Sequence, residues 1–586
     1  MPGILGGNVD EVGVNAVAEP MRHEQWYEFD RVQTGRFELG VVHHGDRDPA
    51  SDLFWEGDDA AGVLHGVVTD APVEEGSPER LFRRLLDEPA ETLSAMDGLF
   101  SVACADEETF VLATDKNGSR PCYYAREGDM RFSSELKSLV PVLESPSVDL
   151  RALSDLLTFG YVLGSTTLLT EVAELRPAHV LTVSDGDRSI EQYWEPGFEL
   201  TPVANYSDQV DRAYSRSVDS VVDTIDTRTG LWLSGGLDSR ILAGKLTDAD
   251  HPFRAMTYGP TDSDEFDAAE QVTATLGVDH DQITLGPPSA FAAHLDRAIG
   301  LTDGMISWTY LLNFVHILNE LADVVDVTLE AAPQDTYMGH DLSDADARKL
   351  ESESVADRLF QRYGKLDPDQ SRMLLNDSID DPLAPLRDEA DVTSAETPEN
   401  VYRSVVWNVL AYSHFRSSGV MRSQVGTRVP AVSSDFLETA AKRPAEYNQR
   451  SVPFTDGAVP MATTRIKFDL VRQMDESMAQ IPYQLSGLPA SYPQWAHTIG
   501  MGLRESLKRV QTGQPGWTAV IGHWYRTDPA LNSRLNELLD AASERPEFNA
   551  AAIRALQQEH LSGQENNIDA IAAITTSESW RQQYLD

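Results

Sequence analysis

The sequence predicts an α/β and α+β protein. A β-rich N-terminal region is followed by a doubly wound parallel sheet with a helical C-terminal part. Three observations carry this reading. Short apolar-alternating runs separated by turn residues fill the chain up to about Trp194. From Tyr206 onward, strands alternate with longer helices, the pattern of a parallel sheet. Within that second region a short apolar run, Leu231-Trp232-Leu233, leads through two glycines into a helix-like run at 240–246.

In chain order, the alternating runs lie at 37–42, 62–68, 99–103, 109–113 and 180–183. Turn signals such as Gly45-Asp46, Lys116-Asn117-Gly118 and Asp185-Gly186-Asp187 lie between these runs. Helix-like stretches occur at 77–86 and 149–161, and 196–205 reads as a linker with two prolines. Residues 206–224 have helical spacing, 253–258 a strand pattern, and 264–276 an amphipathic helix pattern. The run 310–321, with Leu311, Phe314, Val315, Leu318 and Leu321 on one face, predicts a core helix leading to a strand at 324–329. From about 356 the chain reads as mainly helical, with an acidic solvated loop at 377–400. The domain expectation is 1–195, a linker 196–205, and 206–586.

Composition bounds the partners. The 586 residues carry 94 acidic against 47 basic groups, a formal charge of -47, and only eight lysines. This surface resembles that of proteins from salt-loving archaea. At molar salt the screening length falls to about 3 Å, so like charges no longer repel, whereas at low salt the same charge opposes compaction. No basic patch supports nucleic-acid binding. Cys104 and Cys122 fit neither a disulfide framework nor a redox or zinc motif and read as buried thiols. No secretory leader and no apolar run near 20 residues is visible, which predicts a cytoplasmic protein that makes no membrane contact. His43-His44 read as exposed turn residues, and His280 and His340 as structural. Arg240 reads equally as a phosphate contact or as a side chain reaching the helix surface.

The most chemically specific stretch is Ser234-Gly235-Gly236-Leu237-Asp238-Ser239. Glycines let the backbone approach an anion closely and take up angles that side chains disfavour. Amides of the turn and of the first helical turn would then point at that anion. Asp238 is placed to hold magnesium on a phosphate. The stretch lacks the G-x-x-x-x-G-K-S/T form and instead resembles the SGGxDS loop of the ATP pyrophosphatase group, which implies ATP cleaved between its α and β phosphates.

Further ordered matches extend the resemblance. Met1-Pro2-Gly3-Ile4-Leu5-Gly6-Gly7 is similar to M-C-G-I-x-G, and Asp97-Gly98-Leu99-Phe100-Ser101-Val102 to G-x-F-A-F. Residues 115–124, Asp115-Lys116-Asn117-Gly118-Ser119-Arg120-Pro121-Cys122-Tyr123-Tyr124, are similar to the D-R-x-G-x-K-P-L-Y-Y part of R-D-R-x-G-x-K-P-L-Y-Y. Phe132-Ser133-Ser134-Glu135-Leu136-Lys137 is similar to F-A-S-E-x-K, Ser263-Asp264-Glu265 to the helix after the ATP loop, and Arg428-Val429-Pro430 to R-V-P. Together these resemble the asparagine synthetase family of ATP-dependent amidotransferases. The resemblance implies a glutaminase-type αββα sandwich followed by a synthetase domain. It also implies Leu233, Ser234, Gly235, Gly236, Leu237, Asp238, Ser239, Tyr258 and Gly259 on ATP, and Asp238 and Asp335 on Mg2+.

The chain departs from that pattern at several places. The nucleophilic cysteine after the first methionine is Pro2. N-G-E appears as His65-Gly66-Val67, D-T-E as Ser77-Pro78-Glu79, and R-G-P-D is not evident. These changes imply a lost glutaminase, as in β-lactam synthetase. The segment L-S-G-E-G-A-D-E-L-F-G-G becomes residues 329–340, in which Asp335 is kept, Ala332 replaces the glutamate, and Glu330 should point elsewhere on a strand. R-x-K-x-G-F falls near 484–488 without a lysine, and Lys467 is the nearest cation. The expected activity is an ATP-dependent carboxylate–amine ligase that forms an acyl-adenylate and passes it to ammonia or another amine, with a homodimer as the assembly. No catalytic residue is assigned. The alternative is an ATP-binding pseudoenzyme that regulates or scaffolds. A tRNA-modifying relative would require a basic surface and paired cysteines, which this chain lacks.

Overall fold

The computed structural model describes residues 1–586 apart from 10–12, 74–76, 185, 200–202, 260–263, 313–316, 340–353, 377–380, 385, 388–397, 449, 451, 453–460 and 513–515. Ser263, Phe314, Val315, His340 and most of the acidic stretch 377–400 therefore lie outside the described residues.

Twelve strands build two antiparallel sheets. The first orders β10 (Val172–Glu174), β8 (Tyr123–Ala125), β9 (Arg131–Ser133), β1 (Gly3–Asn8), β3 (Phe37–His43) and β2 (Glu28–Thr34). The second orders β12 (Asp187–Gln192), β11 (His179–Ser184), β7 (Thr109–Thr114), β6 (Asp97–Ala105), β5 (Ala61–Asp70) and β4 (Asp52–Glu56). Because successive side chains of a strand face opposite ways, neighbours in sequence enter different cores. Ile4, Val41 and Val63 pack between the sheets. Leu64 and Val102 pack under helix α1 (Pro78–Asp87), beside its Leu81, Phe82 and Leu85. Leu5 and Val42 face the other way, into the core that holds Leu153 and Leu156 of α2 (Leu150–Phe159). The result is the αββα sandwich that the resemblance implied. Cys122 sits in the inter-sheet core and Cys104 in the α1 core, so both are the buried thiols expected, and burial raises both thiol pKa values.

After α3 (Tyr206–Val222) the texture changes. Strand β13 (Thr229–Trp232) leads into α4 (Asp238–Asp248), then β14 (Arg254–Gly259), α5 (Asp264–Leu276) and β15 (His280–Thr284). Strands β16 (Val327–Leu329) and β17 (Gly426–Arg428) complete a five-stranded sheet of order β15-β14-β13-β16-β17, parallel throughout. The chain moves one way from β13 and the other way from β16, so the order reverses between these two strands. Crevices at such switch points, at the carboxyl ends of the strands, are where open α/β sheets bind ligands.

The helix expected at 310–321 falls partly outside the described residues, at 313–316; the described part holds a short turn at Trp308–Tyr310 and a helix at Leu318–Val324, with Leu311, Leu318 and Leu321 buried as expected. The C-terminal part is helical but donates β17 to the sheet. Its later helices include α6 (Gln334–Tyr337), α7 (Arg465–Gln473), α8 (Glu476–Gln480), α9 (Gln494–Thr512) and α10 (Ile568–Tyr584). Helix α10 is buried along most of its length and contributes Trp580 to the same core as α2. Among the described residues no helix is long and apolar enough to cross a membrane.

The two units are joined by polar contacts as well as by apolar packing. Tyr337 donates to Asn117 Oδ1 (2.7 Å), and Lys116 pairs with Asp97 (2.8 Å) and donates to Ser434 Oγ (2.5 Å). Within 196–205, Phe198 is buried and stacks on Tyr337. Arg428 of β17 grips Asp48 with both Nη atoms, at 3.0 and 2.5 Å, and both side chains are nearly fully buried. Breaking a buried ion pair from one side leaves an uncompensated charge that costs about 3–5 kcal/mol. We expect Asp48→Asn to lower unfolding free energy by that order, read by denaturant titration in molar salt; an unchanged midpoint would contradict the role given to this pair.

Candidate functional site at the switch point

The turn after β13 is closed by its own serines. The Ser239 hydroxyl accepts from the Ser234 amide (3.1 Å) and lies 3.1 Å from the Ser234 hydroxyl, which in turn accepts from the Gly236 amide (3.2 Å). Leu233 is fixed from below: its amide donates to the Met256 carbonyl, and its carbonyl accepts from Thr257 Oγ1 (2.6 Å). Thr257 also meets His280 Nε2 at 2.9 Å, the structural role expected of that histidine. Asp238 opens α4, where the helix dipole favours negative charge. Tyr258 and Gly259 end the neighbouring strand β14, with Tyr258 edge-on to Trp232.

The glycines do not use the backbone angles expected of them. Neither Gly235 nor Gly236 takes the left-handed backbone that only glycine favours. Gly235 is required by proximity instead: a Cβ there would lie 2.6 Å from Gln484 Cβ. Gln484 also donates its amide to the Gly235 carbonyl (3.2 Å) and its side chain to Glu265 (2.9 Å), so it sits directly on the turn. Gly235→Ala should therefore displace the turn, and Gln484→Gly in the same chain should restore it. We expect ATP affinity by calorimetry to fall in the single variant and recover in the double; an unaffected single variant would refute the contact.

Arg240 matches neither of its two sequence readings. It is fully buried and bonds the carbonyls of Met478 (3.4 Å), Ile481 (2.9 Å) and Pro482 (2.8 Å). Burial pushes its pKa down to about 10, so it stays charged at neutral pH. It ties α4 to the segment just before Gln484.

The second carboxylate arrives from the other side of the switch point. Asp335, on α6 after β16, and Asp238 both face Lys467 of α7: Lys467 Nζ is 2.7 Å from Asp238 Oδ2 and 3.9 Å from Asp335 Oδ2. Burial opposes the charge on Lys467, but the two carboxylates outweigh it and hold its pKa above the usual lysine range. Gln334, which sequence reasoning overlooked, joins the two loops by donating to the Asp238 carbonyl (3.0 Å) and Oδ1 (3.3 Å). Glu330 does point away, as expected: it is buried at the domain interface beside Arg422 and Arg120, with burial raising its pKa to about 7 against their pull. His43 and His44 are not exposed. His43 is buried against Asp30 and Asp52, and His44 stacks on Trp26 and bonds the Arg422 carbonyl (2.8 Å). Among the described residues no group of three or more His, Cys, Asp or Glu side chains could hold a metal by itself.

An αββα sandwich joined to a parallel sheet, with a glycine turn, two carboxylates and a lysine at its switch point, defines a two-domain protein of amidotransferase-like architecture. A glutamine amidotransferase domain model matches residues 78–194 and an asparagine synthase model matches residues 209–452. The chain belongs to the asparagine synthase family. It is similar to asparagine synthetase (glutamine-hydrolyzing) 1 of Bacillus subtilis (strain 168), at 24% identity over 261 residues, covering 42% of this chain and 40% of that protein. It is also similar to carboxyethyl-arginine beta-lactam-synthase of Streptomyces clavuligerus, at 26% over 250 residues, covering 41% of this chain and 46% of that protein. The chain thus spans less than half the length of these relatives. The Bacillus subtilis glutamine phosphoribosylpyrophosphate amidotransferase superposes at a TM-score of 0.25 and 11% identity, over 48% of this chain and 90% of that one, too low to bear on function.

Proposed function

We propose that this protein is an ATP-dependent carboxylate–amine ligase of the asparagine synthetase type that works without glutamine hydrolysis. A small carboxylate is activated as an acyl-adenylate with release of pyrophosphate, and the acyl group passes to ammonia or another amine. The observation that carries the reading is the convergence of Asp238 and Asp335, from loops after β13 and β16, on one buried ammonium beside the Ser234–Ser239 turn. Leu233 to Ser239, with Tyr258 and Gly259, would bind ATP.

The donor set fits magnesium. Two hard carboxylates about one position, completed by phosphate oxygens, suit this ion, and the Lys467 ammonium stands in for a cation between them. Magnesium held there would neutralise charge on phosphate oxygens. The protein's own contribution is orientation. Gln334 and Lys467 fix the Asp238 carboxylate, and Arg240 fixes the segment that carries Gln484 onto the turn.

Loss of glutaminase is supported by the pocket around Pro2, which is lined by His65, Arg120, Ser134, Glu135 and Arg422 and contains neither cysteine. We expect no glutamate release from glutamine, and no rescue by Pro2→Cys alone, because His65 occupies the strand that would supply oxyanion contacts. Release at ordinary amidotransferase rates would defeat this part of the reading.

A pseudoenzyme is favoured by Ala332 and by Gln484, which covers the turn where a family lysine is expected. ATP–pyrophosphate exchange in molar potassium chloride, with a panel of small carboxylates, separates the two. Carboxylate-dependent exchange supports the ligase. ATP binding without exchange for any carboxylate supports the pseudoenzyme, and absence of ATP binding removes both.

A further inference from the structure

The interface between the sandwich and the parallel-sheet domain buries Arg120, Arg416, Arg422 and Arg428, and of these only Arg416, on Glu174, and Arg428 have a carboxylate bonded to them. Arg428 is neutralised by Asp48. Arg120 and Arg422 share the Ser119 carbonyl, at 3.2 and 3.1 Å, so their guanidinium groups are neighbours. Arg120 also bonds the Thr427 carbonyl (2.9 Å) and hydroxyl (3.3 Å). All of these acceptors are neutral. Among the described residues no carboxylate bonds to Arg120 or Arg422, and the buried Nε of each has no partner. Arg120 is 4% exposed and Arg422 6%.

His65 adds a third unsatisfied group. It is buried with both ring nitrogens unpartnered. It lines one pocket of about 210 Å3 together with Arg120, Arg422, Pro2, Pro121 and Ser134. Glu135 also borders this pocket, but Lys137, at 2.9 Å, already neutralises it. Glu330 lies nearby without bonding to either guanidinium, and two like charges buried side by side with no carboxylate bonded to them are costly, to which unpaired buried donors add. The charges themselves reflect this: burial first, and then neighbouring guanidinium groups, pull Arg120 well below the ordinary arginine range, and burial pushes Arg422 down to about 10.

We propose that the pocket bounded by Arg120, Arg422 and His65 binds a small monovalent anion, either free halide or the carboxylate of a small organic acid. The anion would pair with the two guanidinium groups and accept from their free Nε–H bonds, with the imidazole turned as a donor.

The test uses the full chain. Crystals grown in molar potassium bromide should give an anomalous bromide peak within hydrogen-bond distance of Arg120 or Arg422 Nε. In solution, the chain should broaden the 35Cl NMR line of chloride. Arg120→Gln and, separately, Arg422→Gln should each remove at least half of that broadening, while a surface variant, Arg216→Gln, should not. Formate added at equal ionic strength should reverse the broadening if the site takes carboxylates, and leave it unchanged if it selects halide. Absence of the bromide peak in wild-type crystals, with bromide bound elsewhere, would overturn the proposal without relying on any variant folding. Equal broadening by wild type and both folded variants would overturn it as well.

Discussion

With magnesium held as proposed, Asp238→Asn is expected to weaken magnesium-dependent ATP binding by about one to three orders of magnitude, because the ion would lose one of two charged protein ligands. The substitution keeps the size of the side chain and its hydrogen bond from Gln334, so the turn should survive. It removes the negative charge 2.7 Å from Lys467 and leaves Asp335, at 3.9 Å, as the remaining partner. Calorimetry with Mg-ATP in molar salt gives the affinity, and circular dichroism checks that the domain is still folded. Equal affinity in wild type and variant would remove Asp238 from the site.

Transfer from molar potassium chloride to dilute buffer is expected to unfold the protein cooperatively. The formal charge is -47, and many acidic side chains lie on the surface without a cationic neighbour close by, since only 47 basic groups face 94 acids. Several of those basic groups are consumed inside the molecule without taking an acid with them: Arg120, Arg240 and Arg422 are buried on neutral acceptors. The positive charge left to offset surface repulsion is therefore smaller than composition suggests, and screening by salt must supply the difference. A thermal melt that is the same in dilute buffer and in molar salt would refute the expectation.

The parts of this molecule visible in its sequence are those whose signal is local. The turn at Ser234–Ser239 stands out because several uncommon residue types are fixed within six positions between a strand and a helix. The strands at 37–43 and 109–114 are long enough for alternation to show. Strands β8, β9, β10, β16 and β17 are three residues each, too short for any period to register, and β17 also lies in a helical region. In the site, Asp238 and Asp335 were legible as carboxylates of a resembling pattern. Gln334 was not, because a glutamine beside an aspartate carries no signal until the two loops meet across 96 residues of chain. The burial of His43 and His44 was equally invisible. It depends on Trp26, on Asp30, and on the Arg422 carbonyl 378 residues away.

The Arg240 clamp has a consequence for the order of events during synthesis. Its carbonyl partners lie 238 to 242 residues further along the chain. At about 5–20 residues per second, the ribosome needs on the order of 10–50 s to make that stretch. Throughout that interval helix α4 holds a guanidinium destined for the interior with nothing to receive it. The turn that α4 supports then lacks the wall provided by Gln484. The antiparallel sandwich can close on its own strands while translation continues, but the switch-point crevice cannot reach its final form until the segment after α7 has emerged and docked. A nascent chain stalled between the two stretches should therefore resist proteolysis in the strands around the inter-sheet core, whose residues all lie before 184, and be cut readily around Ser234–Asp248.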